Sequence, residues 1–139
     1  MAVETKYKKI ITSGKRKTSV ARAMLVAGTG KVTVNKKDYL GLGLFDKLKI
    51  AEPIEIAKAI LGKTEFDCAI SVRGGGEKGQ IDAARLALAK AIVEFSGSKD
   101  LKNAYLKYDR NLLVADVRRK EAYKPGDSKA RSKRQSSKR

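Results

Sequence analysis

The 139-residue sequence predicts an α+β fold: a two-layer body with helices over one face of a sheet, followed by an extended basic tail. The body is expected over residues 1–117 and the tail over 118–139. Three observations predict this. Runs of strand formers fill the first third of the chain, apolar stripes at helical spacing dominate the middle, and the final segment has no apolar period. The resulting order is strands, helix, strand, helix, helix, tail, without an internal repeat.

Residues 7–12 and 20–26 are rich in strand formers and are separated by a basic turn, Ser-Gly-Lys-Arg-Lys, at 13–17. Gly28-Thr29-Gly30 reads as a hairpin turn into 31–35, where alternation puts Val32 and Val34 on one face. Gly41 and Gly43 make 38–44 irregular. A helix is predicted to start at Pro53, whose fixed φ suits a first helical position. Ile54, Ala57, Ile60 and Leu61 form its stripe and Gly62 its stop. Residues 66–72 have the composition of a buried strand, and Cys68 within it reads as a core thiol rather than a reactive one. The clearest helix spans 80–95, with Ile81, Ala84, Leu88, Ile92 and Phe95 recurring at three and four residues. Lys90 and Glu94 are placed to pair on its wet side, and Gly97 ends it. Ser98 caps a third helix that reaches about Tyr108. Residues 111–119 fit either a turn of helix or a strand.

Thirty-two Lys and Arg against 15 Asp and Glu give a formal charge of +17, and the ends carry it. Residues 6–22 hold seven cations and no acid; residues 118–139 hold ten against Glu121 and Asp127; residues 23–117 hold 15 against 12. A field of this size calls for a polyanion, and nucleic acid fits best. The last eleven residues contain six cations and no acid, the pattern of a nucleic-acid-binding arm rather than of a solubilising tail. Alone, that arm cannot bury enough surface to offset chain entropy, so disorder is expected there.

The rarer residues exclude several classes. The chain has no His and a single Cys, which removes an internal disulfide, His-based catalysis and the usual zinc ligand sets. No cofactor is expected. No apolar run approaches the roughly 20 residues that span a bilayer, and residues 1–9 lack the apolar stretch of a signal peptide, so a cytosolic address is expected.

Arg73-Gly74-Gly75-Gly76-Glu77-Lys78-Gly79-Gln80 joins the buried strand to the best helix, and Gly74, Gly76 and Gly79 satisfy G-x-G-x-x-G. A dinucleotide site needs a second parallel strand after the helix with an acid at its end, but Asp100 falls on a predicted helix. An NTPase loop fails too, because Gly79 is followed by Gln80 rather than by Lys and Ser or Thr. Two readings remain. The loop is either a tight strand-to-helix turn without a ligand, or a backbone cradle where Arg73, Lys78 and a helix N-terminus meet a phosphate. The charge of the chain ends favours the second.

Three segments resemble one known family, the ninth protein of the small ribosomal subunit. They are SGKRKTSVAR at 13–22, GGGEKGQIDAARLALAKAI at 74–92, and KARSKRQ at 129–135 with the SKR ending at 137–139. LLVADVRR at 112–119 and the ending with Gln135 resemble the archaeal and eukaryotic branch. The resemblance implies a fold shared with the second domain of the fifth small-subunit protein, which contains a left-handed β-α-β crossover against the roughly 98% right-handed rule. It implies a non-enzymatic protein of the cytoplasmic ribosome. Its partners would be ribosomal RNA in the subunit head, neighbouring head proteins, and peptidyl-site tRNA reached by the tail. On this reading Lys15, Arg16 and Lys17 present cations on a turn, while Arg73, Gly74, Gly75, Gly76 and Lys78 approach phosphates. Arg118, Arg119, Lys120, Lys129, Arg131, Lys133 and Arg134 thread between segments of ribosomal RNA, and Lys138 and Arg139 reach tRNA. Members of this branch usually carry Tyr at the penultimate position, where Lys138 stands here, so a charge replaces an aromatic ring. The rival classes are a free nucleic-acid-binding protein of chromatin or RNA-chaperone type and, last, an enzyme holding a nucleotide at the glycine loop.

Overall fold

The chain runs β1 (Ile10–Arg16), β2 (Ser19–Ala27), β3 (Val32–Val34), β4 (Lys37–Asp38), a 3-10 turn (Tyr39–Gly41) and α1 (Leu44–Leu61). It continues through β5 (Phe66–Arg73), α2 (Glu77–Ser96), α3 (Lys99–Tyr108) and a second 3-10 turn (Arg110–Leu112). This computed structural model describes residues 9–119, 121–126 and 130–131. The five strands form one sheet in the order β1-β2-β5-β3-β4. Every neighbouring pair is antiparallel except β3 and β5, which run parallel and are joined through α1 as a β-α-β unit.

Alternation decides which face is covered. In β2, Ser19, Ala21, Ala23 and Leu25 are buried while Val20, Arg22 and Met24 are exposed; in β5, Phe66, Cys68, Ile70 and Val72 are buried. The apolar ones among these side chains form one core with Val32, Val34 and the inner face of α2, including Ile81, Ala84, Leu88 and Ile92. Among the described residues the opposite face carries no helix, which gives this part of the chain two layers. Burial pushes the Cys68 thiol up to about 12, which keeps it protonated and inert.

Several elements differ from expectation. β1 continues to Arg16 through the segment predicted as a turn, and the turn itself is Lys17-Thr18, with Arg16 opposite Ser19 and Lys17 at φ 53°. Gly14 is there for a helix, not a turn: a β-carbon would overlap the Ala83 carbonyl and stand 2.8 Å from the Ala87 nitrogen of α2. α1 begins nine residues before Pro53, which lies buried inside it. Proline removes one helical hydrogen bond, and tertiary packing offsets the loss. The Pro53 carbonyl accepts a 2.6 Å hydrogen bond from the buried Tyr105 hydroxyl of α3. The buried stripe of α1 is accordingly Ile50, Pro53 and Ala57, while Ile60 and Leu61 are exposed. α2 starts three residues earlier than predicted and keeps its stripe, with Phe95 half-buried and edge-on to Phe66. Lys90 donates to the Ser13 carbonyl at 3.3 Å rather than pairing with Glu94. α3 is capped by Ser98, whose hydroxyl accepts from the Leu101 N–H. Past the 3-10 turn at Arg110–Leu112, residues 113–119 are neither helix nor strand.

Residues 28–31 are not the hairpin turn expected, because β5 lies between β2 and β3 in the sheet, and Asp67 of β5 organises the link that crosses it. Its Oδ1 accepts hydrogen bonds from the N–H groups of Thr29, Gly30 and Lys31 at 3.0, 3.1 and 2.9 Å. A side chain at Gly28 would occupy the space of its carboxylate. The Lys31 N–H above all, aided by those of Thr29 and Gly30 and opposed by partial burial, holds Asp67 below the usual carboxylate range. A depressed folded pKa gives stability that is present above the unfolded value of about 3.9 and is lost as pH falls through the folded one. Asp67→Ala therefore melts lower than wild type by its largest margin above about pH 5, with the gap narrowing as pH falls below about 4. Melting curves across that range check it; a gap independent of pH would contradict the role.

Candidate nucleic-acid interface

Strand register brings distant basic segments to one end of the sheet. Lys15, Val20 and Arg73 form one row across β1, β2 and β5; Ser13, Arg22 and Ser71 form the next. Directly paired residues in antiparallel strands project from the same face. All six are exposed, on the face that the helices leave open. Val20, Arg22, Ser71 and Arg73 line a groove of about 310 Å³. Lys15, Lys17, Thr18 and Val20 line a second one, of about 770 Å³, together with Arg118 and Arg119 from the far end of the sequence.

The glycine loop is built against this corner. Gly74 and Gly75 take left-handed φ values of 76° and 66°, which glycine adopts without strain. A β-carbon on Gly74 would stand 2.7 Å from the Thr18 carbonyl oxygen, and one on Gly75 would overlap the Ser19 hydroxyl. Ser19 is fully buried there and donates to the Gly74 carbonyl at 3.0 Å, which also accepts from the Gln80 side-chain amide at 3.2 Å. Gly74, Gly75 and Gly79 are thus accounted for by close packing on the β1–β2 turn. Gly76 is different. It stands in open space at the N-cap of α2 with no side-chain cap, next to the exposed Lys78, although Glu77 places an acid in the same first turn. After α2 the chain enters α3, and the sheet neighbours of β5 are β2 and β3, which both precede it. The second strand of a dinucleotide unit is therefore missing among the described residues.

Not every predicted cation is available. Arg16 is paired with Asp116 and, at 3.9 Å, with Asp82 of α2. Arg118 is paired with Asp116 at 2.7 Å. Among the described residues, Lys15, Lys17, Arg73 and Lys78 have no acidic partner. Arg119 donates to the backbone carbonyls of Asp116 and Arg118 and has no acidic partner among the described residues. Arg131 donates to Glu121 at 3.0 Å. Lys120, Lys129, Lys133, Arg134, Lys138 and Arg139 lie outside the described residues.

Arg22 is the member of the cluster that the sequence reading passed over, although the period of β2 places it on the open face with Val20 and Met24. Arg85 looks equally basic in the sequence, yet it is an internal tie. Its guanidinium bonds Glu52 of α1 at 2.5 Å and Asp109, beyond α3, at 3.3 Å. No group of His, Cys, Asp and Glu among the described residues is arranged to hold a metal ion. The corner instead offers charge at fixed spacing, an apolar floor at Val20 and two serine hydroxyls, which suits a phosphate backbone rather than a small molecule.

Comparison with known proteins agrees with this chemistry. The family model described as ribosomal protein S9/S16 matches residues 14–139. The small ribosomal subunit protein uS9 of Methanococcus vannielii is 47% identical over 133 residues, covering 94% of this chain and 98% of its own. That of Methanococcus maripaludis is likewise 47% identical over 133 residues, with the same coverage. That of Methanothrix thermoacetophila is 42% identical over 134 residues, again covering 94% of this chain and 98% of its own. A match that runs from the β1 glycine to the last residue, joined to relatives spanning nearly the whole chain, places this protein in the ribosomal protein S9/S16 family, with the archaeal uS9 proteins.

Proposed function

We propose that the chain is a structural, non-enzymatic constituent of the small subunit of the cytoplasmic ribosome. It binds ribosomal RNA in the subunit head through the corner formed by Lys15, Lys17, Arg22, Arg73, Gly76 and Lys78, flanked by Arg118 and Arg119. Family membership supports the ribosomal role. The observation that carries the RNA contact is the convergence of cations from residues 15–22, 73–78 and 118–119 at one end of an open sheet face.

Lys and Arg neutralise phosphates and release condensed counterions, so such binding is strong, weakly sequence-dependent and steeply sensitive to salt. Ser13 and Ser71 add hydroxyls that can meet the RNA 2′-OH. Arg16 belongs to the body through its acidic partners rather than to the contact surface. Residues 118–139 form the arm, with Lys120, Lys129, Arg131, Lys133 and Arg134 on ribosomal RNA and Lys138 and Arg139 reaching peptidyl-site tRNA. The parallel β3-α1-β5 unit is the place where the left-handed crossover implied by the family resemblance would occur.

Two measurements test this. The chain should co-sediment with small subunits and stay through a moderate-salt wash, whereas a free chromatin- or chaperone-type binder would wash off. In titrations of a head-domain RNA transcript, raising salt from 50 to 200 mM should lower affinity by about three to five orders of magnitude if roughly six to ten phosphates are contacted. Changing Lys15 and Lys17 together to Ala should reduce the log–log salt slope by about one to two; an unchanged slope would mean that this corner faces solvent. For the arm, deleting Lys138 and Arg139 should leave assembly intact but speed peptidyl-site tRNA dissociation several-fold, each contact being worth at most about 1.5–3 kcal/mol. Equal dissociation rates would remove tRNA from the proposal.

A further inference from the structure

Asp116 is the lone acid between Asp109 and Glu121, at the root of the basic arm. Its carboxylate is largely sheltered, with 13% of the side chain exposed. Three arginines gather on this residue, two of them at the carboxylate. Arg16 of β1 pairs with Oδ2 across a gap of 100 residues. Arg118 reaches both oxygens, its Nε at 3.1 and 3.0 Å and its Nη2 at 2.7 Å, while its backbone N–H donates to Oδ1 at 2.9 Å. Arg119 folds back so that Nη1 donates to the Asp116 carbonyl at 2.6 Å. This ties the departing chain to the β1–β2 corner at the point where the 770 Å³ groove is lined by Lys15, Lys17, Arg118 and Arg119. The last fully buried side chain is Leu112, so no core packing holds residues 116–119 in place among the described residues.

Resting on the proposed RNA contact, we infer that Asp116 is a positioning residue for RNA binding. By holding Arg16 and Arg118, it fixes the root of the arm beside the β1–β2 corner, so that Lys15, Lys17 and Arg119 meet one stretch of RNA backbone together. Fixing the arm before binding removes an ordering cost that a loose root would incur on the RNA. The inference has a sign that simple electrostatics does not share. Removing an acid raises the net charge by one, and charge alone then predicts tighter binding to any polyanion. A positioning role predicts weaker binding to the specific RNA.

The test uses the full chain, with a head-domain transcript of small-subunit RNA and heparin as probes. Asp116→Asn should bind the transcript about tenfold more weakly at fixed salt, the loss of roughly one charge-assisted contact in a wet setting. It should elute from heparin at equal or higher salt than wild type. Arg16→Gln should weaken transcript binding to a similar extent, and the double variant should be no worse than either single one, as expected when both changes break the same link. Transcript affinity of Asp116→Asn that is unchanged, or that rises together with heparin affinity, overturns the inference; so does strict additivity in the double variant. Melting curves keep the result readable, because Arg16→Gln and Asp116→Asn chains that melt like wild type are compared at equal folded fraction. If Arg16→Gln unfolds, Asp116→Asn alone decides through the opposed transcript and heparin responses; if Asp116→Asn unfolds, Asp116→Ser, which removes the same acid, takes its place. A wild-type chain that binds the transcript no better than an unrelated RNA of equal length overturns the proposed function itself, a different outcome from a wild type that prefers the transcript and an Asp116→Asn chain that does too.

Discussion

α2 lies so close to β1 that Gly14 has no room for a β-carbon, and Thr12 donates its hydroxyl to the Ala87 carbonyl of the helix at 2.7 Å. The alanines at 83, 84, 87, 89 and 91 are all fully buried, and their small size lets the helix backbone approach the sheet. Much of the molecule follows from that approach. Among the described residues the helix layer sits on one face, and side chains on the other face of β1, β2 and β5 are exposed. The start of α2 is brought over the β1–β2 turn, so the link from β5 must double back within a few residues. Gly74 and Gly75 provide the left-handed backbone for that, closing on the buried hydroxyl of Ser19.

The same arrangement divides the cations into two kinds. Arg16 and Arg85 have acids from other elements around them and join β1, α1, α2 and the segments after α3. The planar guanidinium, with its several fixed donors, suits such multi-point ties. Lys15, Lys17 and Lys78, on flexible stems, lack acidic partners among the described residues; Lys15 and Lys17 line the groove at the open face, and Lys78 is exposed in the first turn of α2. Lysine as a mobile point charge suits a phosphate backbone that need not be met at one fixed angle.

Local pattern was enough to locate the period-two strands, the 81/84/88/92 stripe of α2 and the Ser98 cap, because each is governed by its own neighbours in the chain. What escaped local reading depends on contacts across the fold. Gly14 reads as a turn glycine until α2 is placed over it. Pro53 reads as a helix start until Tyr105 is found bonded to its carbonyl. The glycine loop reads as a phosphate cradle or a tight turn, with charge favouring the cradle, and only the positions of Thr18 and Ser19 account for three of its glycines. The basic segments at 15–17, 73–78 and 118–119 were legible as charge. That they meet at one corner, and that Arg16 and Arg118 share Asp116, is a matter of register and chain exit that spacing does not carry.

The central claim is that one corner of the open sheet face, assembled from three distant segments, is the surface that meets RNA. Amide hydrogen exchange of the chain, free and bound to a head-domain transcript of small-subunit RNA, tests it most directly. Residues 15–20, 73–78 and 116–119 should gain protection together on binding, while the link at 28–31 and the exposed surface of α3 do not change. Protection confined to the chain beyond residue 119, or centred on the helical layer, would contradict it.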